Sequence, residues 1–514
     1  MDSVLDRCPL VNGCFRQLQK ELIGKQKHYL RSEAALKSFV LLYPPFTFKA
    51  HVLVQPPLPI AHLHSVLEEA KVGNIEAVDL DLEFDDSTRN VEYFLDQAVR
   101  RLEHLEPTAI CISCKSAQFP FAILFTRKYK SLHPETKVIM GGWMPTLAPS
   151  SVLQLSGCDA VVRGEGEKPL PLLLKRIEDK NWDIDGVSYA SGTGDDIVHN
   201  RNSVLLTQKE LDQLPYPNFE CLPPLQKYQQ GFKNAYLTIE TSRGCPNHKC
   251  IFCWNSTKYC DTSWRARSPK RVVDEIEFMI EKYDANYFSF ADDCFGADPQ
   301  WLDEFISLMN ERLDPEEIMY GCPMRIDYLD EKLLERLRKT GLTRLLHGIE
   351  SGSPRMWKTL DKNLRPDVDP EQIIRIVKKE VELGIDPQLS VMIGLPEETE
   401  QDIDDTLTLC RHLADVGAHF TMHLLNPYEG TRICDLYPDL VKPFDMYTEL
   451  NDIDNFDADF QKVFGEQLTS LSSRLPDYKW IQPSTPYEVF KRKYLQLRQI
   501  TSSGLPFFYR GPGV

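Results

Sequence analysis

Short apolar runs alternate with amphipathic stretches of helical period along the first third of the chain. Continuous apolar strands separated by helices are typical of a parallel sheet that is covered on both faces. We therefore predict an α/β fold whose N-terminal domain is doubly wound and Rossmann-like. A helix is predicted over residues 61–72, ending at Gly73. The five predicted strands are residues 38–43, 76–80, 108–113, 137–142 and 159–164.

The same alternation returns after residue 234. Asp298-Pro299 and Asp369-Pro370 each predict a helix start, because Asp is a good N-cap and Pro suits the first helical position; Gly384 is predicted to end the later helix. Six βα units of this kind predict a partial (β/α)6 barrel of the TIM type. The predicted strands are residues 235–240, 287–291, 319–322, 342–350, 388–394 and 419–425.

These patterns divide the chain into five parts. We expect a hairpin between 185–190 and 202–206, and a helix over 486–499. The acidic stretch 451–460 has a spacing that resembles a calcium loop, but the Gly and Glu of an EF-hand do not follow, so we predict a solvated loop. The parts are an N-terminal extension (1–36), the doubly wound domain (37–180), a connector (181–233), the barrel (234–434) and a small C-terminal region (435–514).

Composition narrows the classes of function. The formal net charge of −17 argues against a general binder of nucleic acid or of anionic membranes. No stretch approaches the ~18 apolar residues that a membrane span needs, so we expect a cytoplasmic protein in a reducing compartment. Fourteen cysteines in 514 residues are too sparse for a disulfide scaffold, which turns attention to metal or catalytic use.

Three cysteines stand close together at Cys245, Cys250 and Cys253. Thiols at this spacing can converge on an iron–sulfur cluster or on zinc. A closed zinc site needs a fourth ligand, for which His248 or Cys260 is available. A [4Fe–4S] cluster held by three cysteines leaves one iron open. The triplet follows the first barrel strand, at the end where barrel active sites lie, and this position favours the cluster.

At this point the sequence resembles a known family. Glu240-Thr-Ser-Arg-Gly-Cys245 with Cys250-Ile-Phe-Cys253 is similar to the cluster loop of radical S-adenosylmethionine (SAM) enzymes. Gly141-Gly142 and Gly164-Glu-Gly-Glu167 resemble the cobalamin-binding domain of the B12-dependent branch. The later landmarks, in the family's order, are Arg267-Ser-Pro-Lys-Arg-Val-Val-Asp274-Glu275, Phe290-Ala-Asp-Asp293, Gly348-Ile-Glu-Ser-Gly-Ser353, Gly394-Leu-Pro-Glu-Glu398 and Asn426-Pro-Tyr-Glu-Gly-Thr431.

The resemblance is closest to the B12-dependent C-methyltransferases of peptide natural-product maturation, and it has departures. The first two cysteines are separated by four residues, where the family commonly has three. Ala291-Asp292-Asp293 stands where a double glycine usually ends the second barrel strand. Residues 37–180 contain no Asp-x-His-x-x-Gly motif, so no histidine from that motif would ligate cobalt.

The resemblance implies three cofactors and their residues. The three cysteines would hold a [4Fe–4S] cluster whose open iron chelates SAM, and a 5′-deoxyadenosyl radical would remove a hydrogen atom from an unactivated carbon, which cobalamin would then methylate. For SAM it implies Phe252 against the adenine, Asp292 and Asp293 on the ammonium, Glu350 and Ser351 on the ribose, and Ile393, Gly394, Leu425 and Asn426 as backbone contacts of the adenine. For cobalamin it implies, by position, Ser113, Ser116, Gly141, Gly142, Gly164 and Glu165.

Other residues have plainer interpretations. We interpret His347, His419 and His423 as core histidines on barrel strands. We interpret Cys322 as a packed thiol and Arg325 as part of a structural ion pair. The resemblance identifies no catalytic acid or base.

Several functions stay open at this stage. The leading hypothesis is methylation of an unactivated carbon of a peptide or small-molecule natural product. The alternatives are another radical outcome such as rearrangement, cyclisation or epimerisation, a tRNA methylthiotransferase, which the acidic charge disfavours, and a zinc-stabilised module without catalysis. The expected partners are the substrate and an electron donor such as flavodoxin or ferredoxin, with no membrane and no nucleic acid.

Overall fold

The computed structural model describes residues 37–45, 55–83, 91–179, 181–191, 196–228, 235–443 and 479–501. The predicted extension (1–36) and the acidic stretch 451–460 lie outside the described residues.

The first sheet has seven strands within the described residues, in the order β2-β1-β3-β4-β5-β6-β7. Strands β1 to β5 are parallel, and the order in which strands are added to the sheet reverses between β1 and β3. The predicted doubly wound domain is therefore confirmed. Each predicted strand agrees with an observed one to within two residues. The strands are β1 (Ser38–Tyr43), β2 (Asn74–Asp79), β3 (Ala109–Ser113), β4 (Lys137–Gly141), β5 (Ala160–Val162), β6 (Val187–Ala190) and β7 (Ile197–His199).

The alternating side chains of β1 show why this sheet is covered on both faces. Phe39 and Leu41 join the large core shared with the barrel, whereas Val40 and Leu42 join a second core on the opposite face. Successive side chains of a strand point to opposite faces, so a continuous apolar run must be buried on both. The helices here are α1 (Leu58–Glu69), α2 (Leu80–Glu83), α3 (Val91–Glu103), α4 (Phe119–Leu132), α5 (Trp143–Leu147), α6 (Pro149–Ser156), α7 (Pro169–Lys175) and α8 (Gln208–Gln213).

Two predictions for the first half of the chain, residues 37–233, are corrected. Helix α1 begins at Leu58 and ends at Glu69, three residues earlier at both ends than predicted. The hairpin partner of β6 is β7, not 202–206, and both strands extend the first sheet in antiparallel fashion. Residues 202–206 instead bridge the two halves, because Leu206 N donates to Glu165 and Leu206 O accepts from Arg265.

The second sheet is parallel and follows chain order, β8-β11-β12-β13-β14-β15, six strands in the described part of the chain. The predicted partial (β/α)6 barrel is confirmed, again with strand ends within two residues. The strands after β7 are β8 (Ala235–Ile239), β9 (Ser242–Arg243), β10 (Arg265–Ala266), β11 (Ala285–Phe290), β12 (Met319–Pro323), β13 (Leu342–Glu350), β14 (Asp386–Ile393), β15 (His419–Leu424), β16 (Val441–Pro443) and β17 (Lys479–Ile481).

The barrel helices begin where the sequence predicts. The Asp298 side chain accepts from the backbone of Gln300 and Trp301, and Asp369 accepts from Gln372. The predicted helix over 486–499 is observed with its core residues packed on the barrel. The helices are α9 (Pro269–Tyr283), α10 (Pro299–Arg312), α11 (Glu331–Arg338), α12 (Pro354–Thr359), α13 (Pro370–Glu382), α14 (Glu400–Asp415), α15 (Arg432–Leu436) and α16 (Tyr487–Thr501).

The barrel histidines do not behave alike. His347 is fully buried, with Nε2 3.0 Å from Glu380 Oε1 and Nδ1 2.6 Å from the Met324 carbonyl oxygen, as a core histidine should be. His419 is half-buried at the start of β15, where its ring lies 2.6 Å from an Asp386 carboxylate oxygen. The core interpretation is wrong for His423, which is exposed because β15 is the edge strand of its sheet.

Candidate active site

The loops at the carboxyl ends of the two sheets meet each other. After β15, Gly430 packs so tightly on α5 that a Cβ placed on it would lie 2.2 Å from the Leu147 carbonyl oxygen. Next to it, Ser151 Oγ donates to Glu429 Oε1 at 2.8 Å. On the other side of the junction, a Cβ on Gly164 would lie 3.1 Å from Cys260 Cβ. Ligands of both fold types bind beyond the carboxyl ends of strands, so this junction is the place for a shared site.

We predict that alanine at Gly430 forces the two halves apart. The steric conflict with the Leu147 backbone is expected to lower the free energy of unfolding by about 1–3 kcal/mol beyond the cost of the left-handed φ. Gly157→Ala is the matched control, because Gly157 also has a positive φ (72°, against 83° for Gly430) and no atom lies within 4 Å of its added Cβ. Chemical denaturation of both variants measures the difference, and equal losses would contradict a tight junction.

The loop that carries the three cysteines is closed at its neck. Strands β9 and β10 pair on either side of it, and Cys245 N donates to Thr262 O. Gly244 has φ +75°, and a Cβ there would lie 2.3 Å from Thr262 O, so only glycine fits. Further along, Ile251 N donates to Leu360 O and Ile251 O accepts from Ile433 N. These contacts fix the loop at the carboxyl edge of the barrel.

The three thiols affect one another electrostatically. Burial and the neighbouring Cys250 raise the pKa of Cys253, and burial also raises the pKa of Cys250. A hydrogen bond from the Cys294 thiol lowers the pKa of Cys245 to about 7. Asn247 Nδ2 donates to Cys250 Sγ at 3.1 Å. Three thiols on one fixed loop, two of them already accepting a hydrogen bond, are a donor set that fits a [4Fe–4S] cluster.

The zinc alternative finds no support in the arrangement. Within the described ranges, no three Cys, His, Asp or Glu side chains gather around a position for a single ion. Cys260 lies against Gly164 of the first half. Cluster thiolates bind separate irons and need not meet around one ion, so the observed spread of the three thiols is compatible with a cluster.

The two aspartates after β11 have different surroundings. Asp292 is buried, and its carboxylate accepts from Thr241 N, Thr241 Oγ1 and Ser242 Oγ; burial raises its pKa to about 7. Its carboxylate therefore holds the strand end before the cysteine loop, and its contact with the SAM ammonium stays a prediction. Asp293 is exposed and accepts from Gly244 N at 3.0 Å and Trp254 Nε1 at 3.0 Å, beside the loop.

The two predicted site residues at the end of β13, Glu350 and Ser351, have different surroundings. Glu350 has a positive φ of 64°, and its Oε1 lies 3.0 Å from Lys362 Nζ, near Cys250. Burial opposes the charge on Lys362, but the charge of Glu350 outweighs it and raises the Lys362 pKa. Ser351 is fully buried, with its hydroxyl 3.0 Å from Thr406 Oγ1. The Ser351 side chain therefore faces the core, and the ribose contact of Glu350 and Ser351 stays a prediction.

Some backbone groups after β14 and β15 already form hydrogen bonds within the protein. Ile393 O accepts from Leu425 N, and Gly394 N donates to Glu398 Oε2 at 2.9 Å. The sequence analysis names Glu398 only as part of a landmark; its buried carboxylate also accepts from Leu395 N, and burial raises its pKa to about 8. Its signal was its place four residues after the glycine. Leu425 lies in a small apolar cluster against which Phe252 packs, and Asn426 is half-buried beside it.

Four of the residues implied for cobalamin lie together at the carboxyl ends of β3 and β4. These residues are Ser113, Ser116, Gly141 and Gly142. Gly142 has φ +94°, and a Cβ there would lie 3.0 Å from the Cys114 carbonyl oxygen. The next residue, Trp143, is half-buried with its ring centroid 5.8 Å from that of Trp254, which follows Cys253. The first-half loops therefore touch the cysteine loop directly.

Glu165 and Gly164 lie at the contact between the first domain and the barrel. Glu165 Oε1 lies 3.2 Å from Arg243 and 2.8 Å from Arg265, and Oε2 accepts from Leu206 N. Its carboxylate is thus directed to the barrel, and a cobalamin contact of these two residues stays a prediction. Gly164 makes room for Cys260. Cys322 and Arg325 are as interpreted, a fully buried thiol and a bidentate partner of Asp327.

Comparisons with known proteins agree with this geometry. Residues 52–174 match the B12 binding domain, and residues 239–410 match the Radical SAM superfamily. An uncharacterised methyltransferase of Pyrococcus horikoshii is 29% identical over 381 residues, which are 74% of this chain and 77% of the relative. An anaerobic magnesium-protoporphyrin IX monomethyl ester cyclase of Rubrivivax gelatinosus is 25% identical over 467 residues, 87% of this chain and 79% of the relative.

A solved structure shares the arrangement of both halves. The radical SAM methyltransferase TsrM of Kitasatospora setae, with cobalamin and a [4Fe–4S] cluster bound, superposes with a TM-score of 0.61 at 17% identity, over 80% of this chain and 77% of that one. At this identity the likeness shows the fold alone.

The barrel contains a match to the Radical SAM superfamily, and the doubly wound domain ahead of it contains a match to the B12 binding domain. These two matches identify the protein as an enzyme with a radical SAM domain and a cobalamin-binding type of front domain. Its cofactors are a [4Fe–4S] cluster, SAM and cobalamin. No helix among the described residues is both long and apolar enough to cross a membrane.

Proposed function

We propose that this enzyme transfers a methyl group to an unactivated carbon of a peptide or small-molecule natural product. One observation carries the proposal: Trp143, next to the Gly141-Gly142 loop, touches Trp254, next to Cys253. Methylation of an unactivated carbon needs a radical source and a methyl source at one place, and this contact joins the two loops that would hold them. When bound, the cluster and SAM supply the 5′-deoxyadenosyl radical and cobalamin supplies the methyl group.

In this proposal the chain's own residues bind, orient and exclude water. Cys245, Cys250 and Cys253 hold the cluster, and Ser113, Ser116, Gly141 and Gly142 receive cobalamin. Phe252, Asp293, Glu350, Ile393, Gly394, Leu425 and Asn426 line the place of SAM. Asp292 and Ser351 position the strand ends, and Gly164 and Glu165 join the two halves.

Three aromatic side chains lie together at the junction of the two domains. The rings of Trp254 and Tyr428 lie 5.8 and 5.9 Å from that of Trp143, and the Trp254 indole N–H donates to Asp293. These rings come from three segments, the start of α5 in the first domain and two loops of the barrel, so they cover the space between the two domains. We infer that they keep water from the reacting carbon, which protects a radical from side reactions.

The proposal also assigns a role to each of the five parts of the chain. We propose 37–180 as the cobalamin domain, 181–233 as the connector, 234–434 as the catalytic barrel and 435–514, with the extension 1–36, as the region that selects substrate. We also propose that an electron donor such as flavodoxin or ferredoxin reduces the enzyme, and that the enzyme works in the cytoplasm. A ring-forming outcome is the second candidate, since the cyclase relative aligns with 87% of this chain.

Methyl transfer can be tested without knowing the substrate. The anaerobic holoenzyme is reduced in the presence of hydroxocobalamin and then given SAM with a deuterated methyl group. We expect S-adenosylhomocysteine and an equal amount of the deuterated methyl group recovered on cobalamin by mass spectrometry. SAM cleavage to 5′-deoxyadenosine with no label on cobalamin would contradict methyl transfer and favour the ring-forming candidate.

A further inference from the structure

The cluster ligand Cys250 is connected to the protein surface by two hydrogen bonds. Asn247 Nδ2 donates to Cys250 Sγ at 3.1 Å, and Asn247 Oδ1 accepts from Asn363 Nδ2 at 2.9 Å. The Asn363 side chain is exposed. This is a short bonded path from solvent to a thiol that holds the cluster.

The turn that contains Asn363 is held in an unusual conformation. Asp361 and Asn363 both have positive φ, 52° and 47°, which non-glycine residues rarely adopt. The carbonyl oxygens of Asp361 and Lys362 both accept from Asn247 Nδ2, at 2.9 and 2.7 Å. The cluster loop itself therefore holds the turn, which places Lys362 inward on Glu350 and leaves Asn363 outward.

Two exposed lysines flank this turn in a chain whose net charge is −17. Of the four cations in residues 354–365, Lys362 is buried on Glu350, and Arg355 and Arg365 pair with Asp402 and Asp367, which leaves Lys358. Lys249, in the cluster loop, and Lys358, on α12, are exposed, and neither forms an ion pair within the described part of the chain. A local patch of opposite sign to the rest of the protein steers an acidic partner to one place.

We propose that the turn 361–363, with Lys249 and Lys358 on either side, is the docking surface for a small acidic electron-carrier protein. This inference rests on the proposed function, because it assigns the entry point of the electron that the cluster needs. One electron leaves the reduced flavin or iron–sulfur centre of the carrier and reduces the oxidised cluster by one unit, with no bond or proton exchanged. The hydrogen bonds from Asn363 to Asn247 and from Asn247 to Cys250 connect this surface to a cluster ligand.

The test uses the reconstituted holoenzyme and two acidic probes, reduced flavodoxin and reduced ferredoxin. The double variant Lys249→Glu, Lys358→Glu is compared with Lys175→Glu, Lys332→Glu, which makes the same charge change at exposed sites on α7 and α11. Stopped-flow absorbance follows cluster reduction at low and high salt. We expect the first variant to slow reduction by about 10- to 100-fold at low salt and to lose most salt dependence, and the control to match the wild type.

Integrity of the cluster is measured separately, by iron content and by full reduction with excess dithionite. Equal carrier-driven rates in wild type and the Lys249→Glu, Lys358→Glu protein, or equal slowing in the control, would overturn the docking surface. A wild-type protein that holds no cluster would overturn the proposed function instead. A difference between flavodoxin and ferredoxin identifies which carrier the surface fits.

Discussion

Alanine at Cys250 is expected to leave the protein without a stable cluster. Cys250 is the buried member of the triplet and the one that accepts a hydrogen bond from Asn247. Two remaining thiols on the same loop cannot hold three irons of one cluster. Loss of an outer-shell partner alone typically costs 10- to 100-fold in metal affinity or activity, so we expect loss of a direct ligand to lower SAM cleavage by more than about 100-fold.

The measurement is iron content and visible absorbance after anaerobic reconstitution, followed by 5′-deoxyadenosine formation with dithionite and SAM. Cys221→Ala is the matched control, because Cys221 is a half-buried thiol of the connector, away from the cluster loop. It should keep both iron and activity. A Cys250→Ala protein that retains its iron, or a colourless wild type with stoichiometric zinc, would contradict the cluster assignment.

Alanine at Arg243 is expected to give the second large effect, on stability. This guanidinium is largely buried and lies 2.6 Å from Glu167, 2.7 Å from Glu240 and 3.2 Å from Glu165. Its removal leaves buried carboxylates without their cation, which costs about 3–5 kcal/mol in comparable pairs. Because Arg243 directly precedes Gly244-Cys245, the same change also removes the ion pairs that join the start of the cluster loop to the first domain.

Arg176→Ala is the control, since Arg176 pairs with Asp179 on the surface and such pairs contribute about 0–1 kcal/mol. Denaturant unfolding of both variants gives the comparison. Adding Glu167→Gln to Arg243→Ala should restore part of the loss, because it removes one uncompensated charge. A loss for Arg243→Ala no larger than that for Arg176→Ala would show that the bridge does not stabilise the junction.

The same bridge predicts acid sensitivity. Burial alone would raise the pKa of Glu167, but the charge of Arg243 outweighs it and lowers that pKa to about 2, from 4.5. A depressed carboxylate pKa contributes stability that is present above the unfolded pKa and is lost as the pH falls towards the folded one. The wild type should therefore lose this contribution between pH 4.5 and 2, and Arg243→Ala should lack it.

The parts of the structure that depend on local pattern were predictable. The nine residues of β13 were predicted at both ends, and Gly341 directly before the strand is a local signal for its start. The cysteine triplet is likewise local, since its spacing alone limits what it can hold. Helix starts at Asp298 and Asp369 followed from residues that cap within three positions.

The contacts that the sequence did not reveal depend on partners far away in the chain. Glu165 had the position of a cobalamin residue, but its carboxylate is held by Arg243, 78 residues later, and no local pattern reveals that pairing. Ser351 follows a strand end, yet its hydroxyl faces Thr406 on α14. The strand partner of β6 was misplaced because 197–199 is too short to give an alternating pattern. In each case a tertiary contact decided what the sequence left open.

Whether the two metal cofactors meet at one junction is tested most directly by pulsed EPR on the holoenzyme, with the cluster reduced and cobalamin in its paramagnetic Co(II) state. We expect a magnetic interaction between the two centres that splits or broadens both signals. Gly430→Ala, which disturbs the junction, should weaken the interaction, and Gly157→Ala should not. Two unperturbed signals from a protein that retains both iron and cobalt would contradict a shared site at the carboxyl edges of the two sheets.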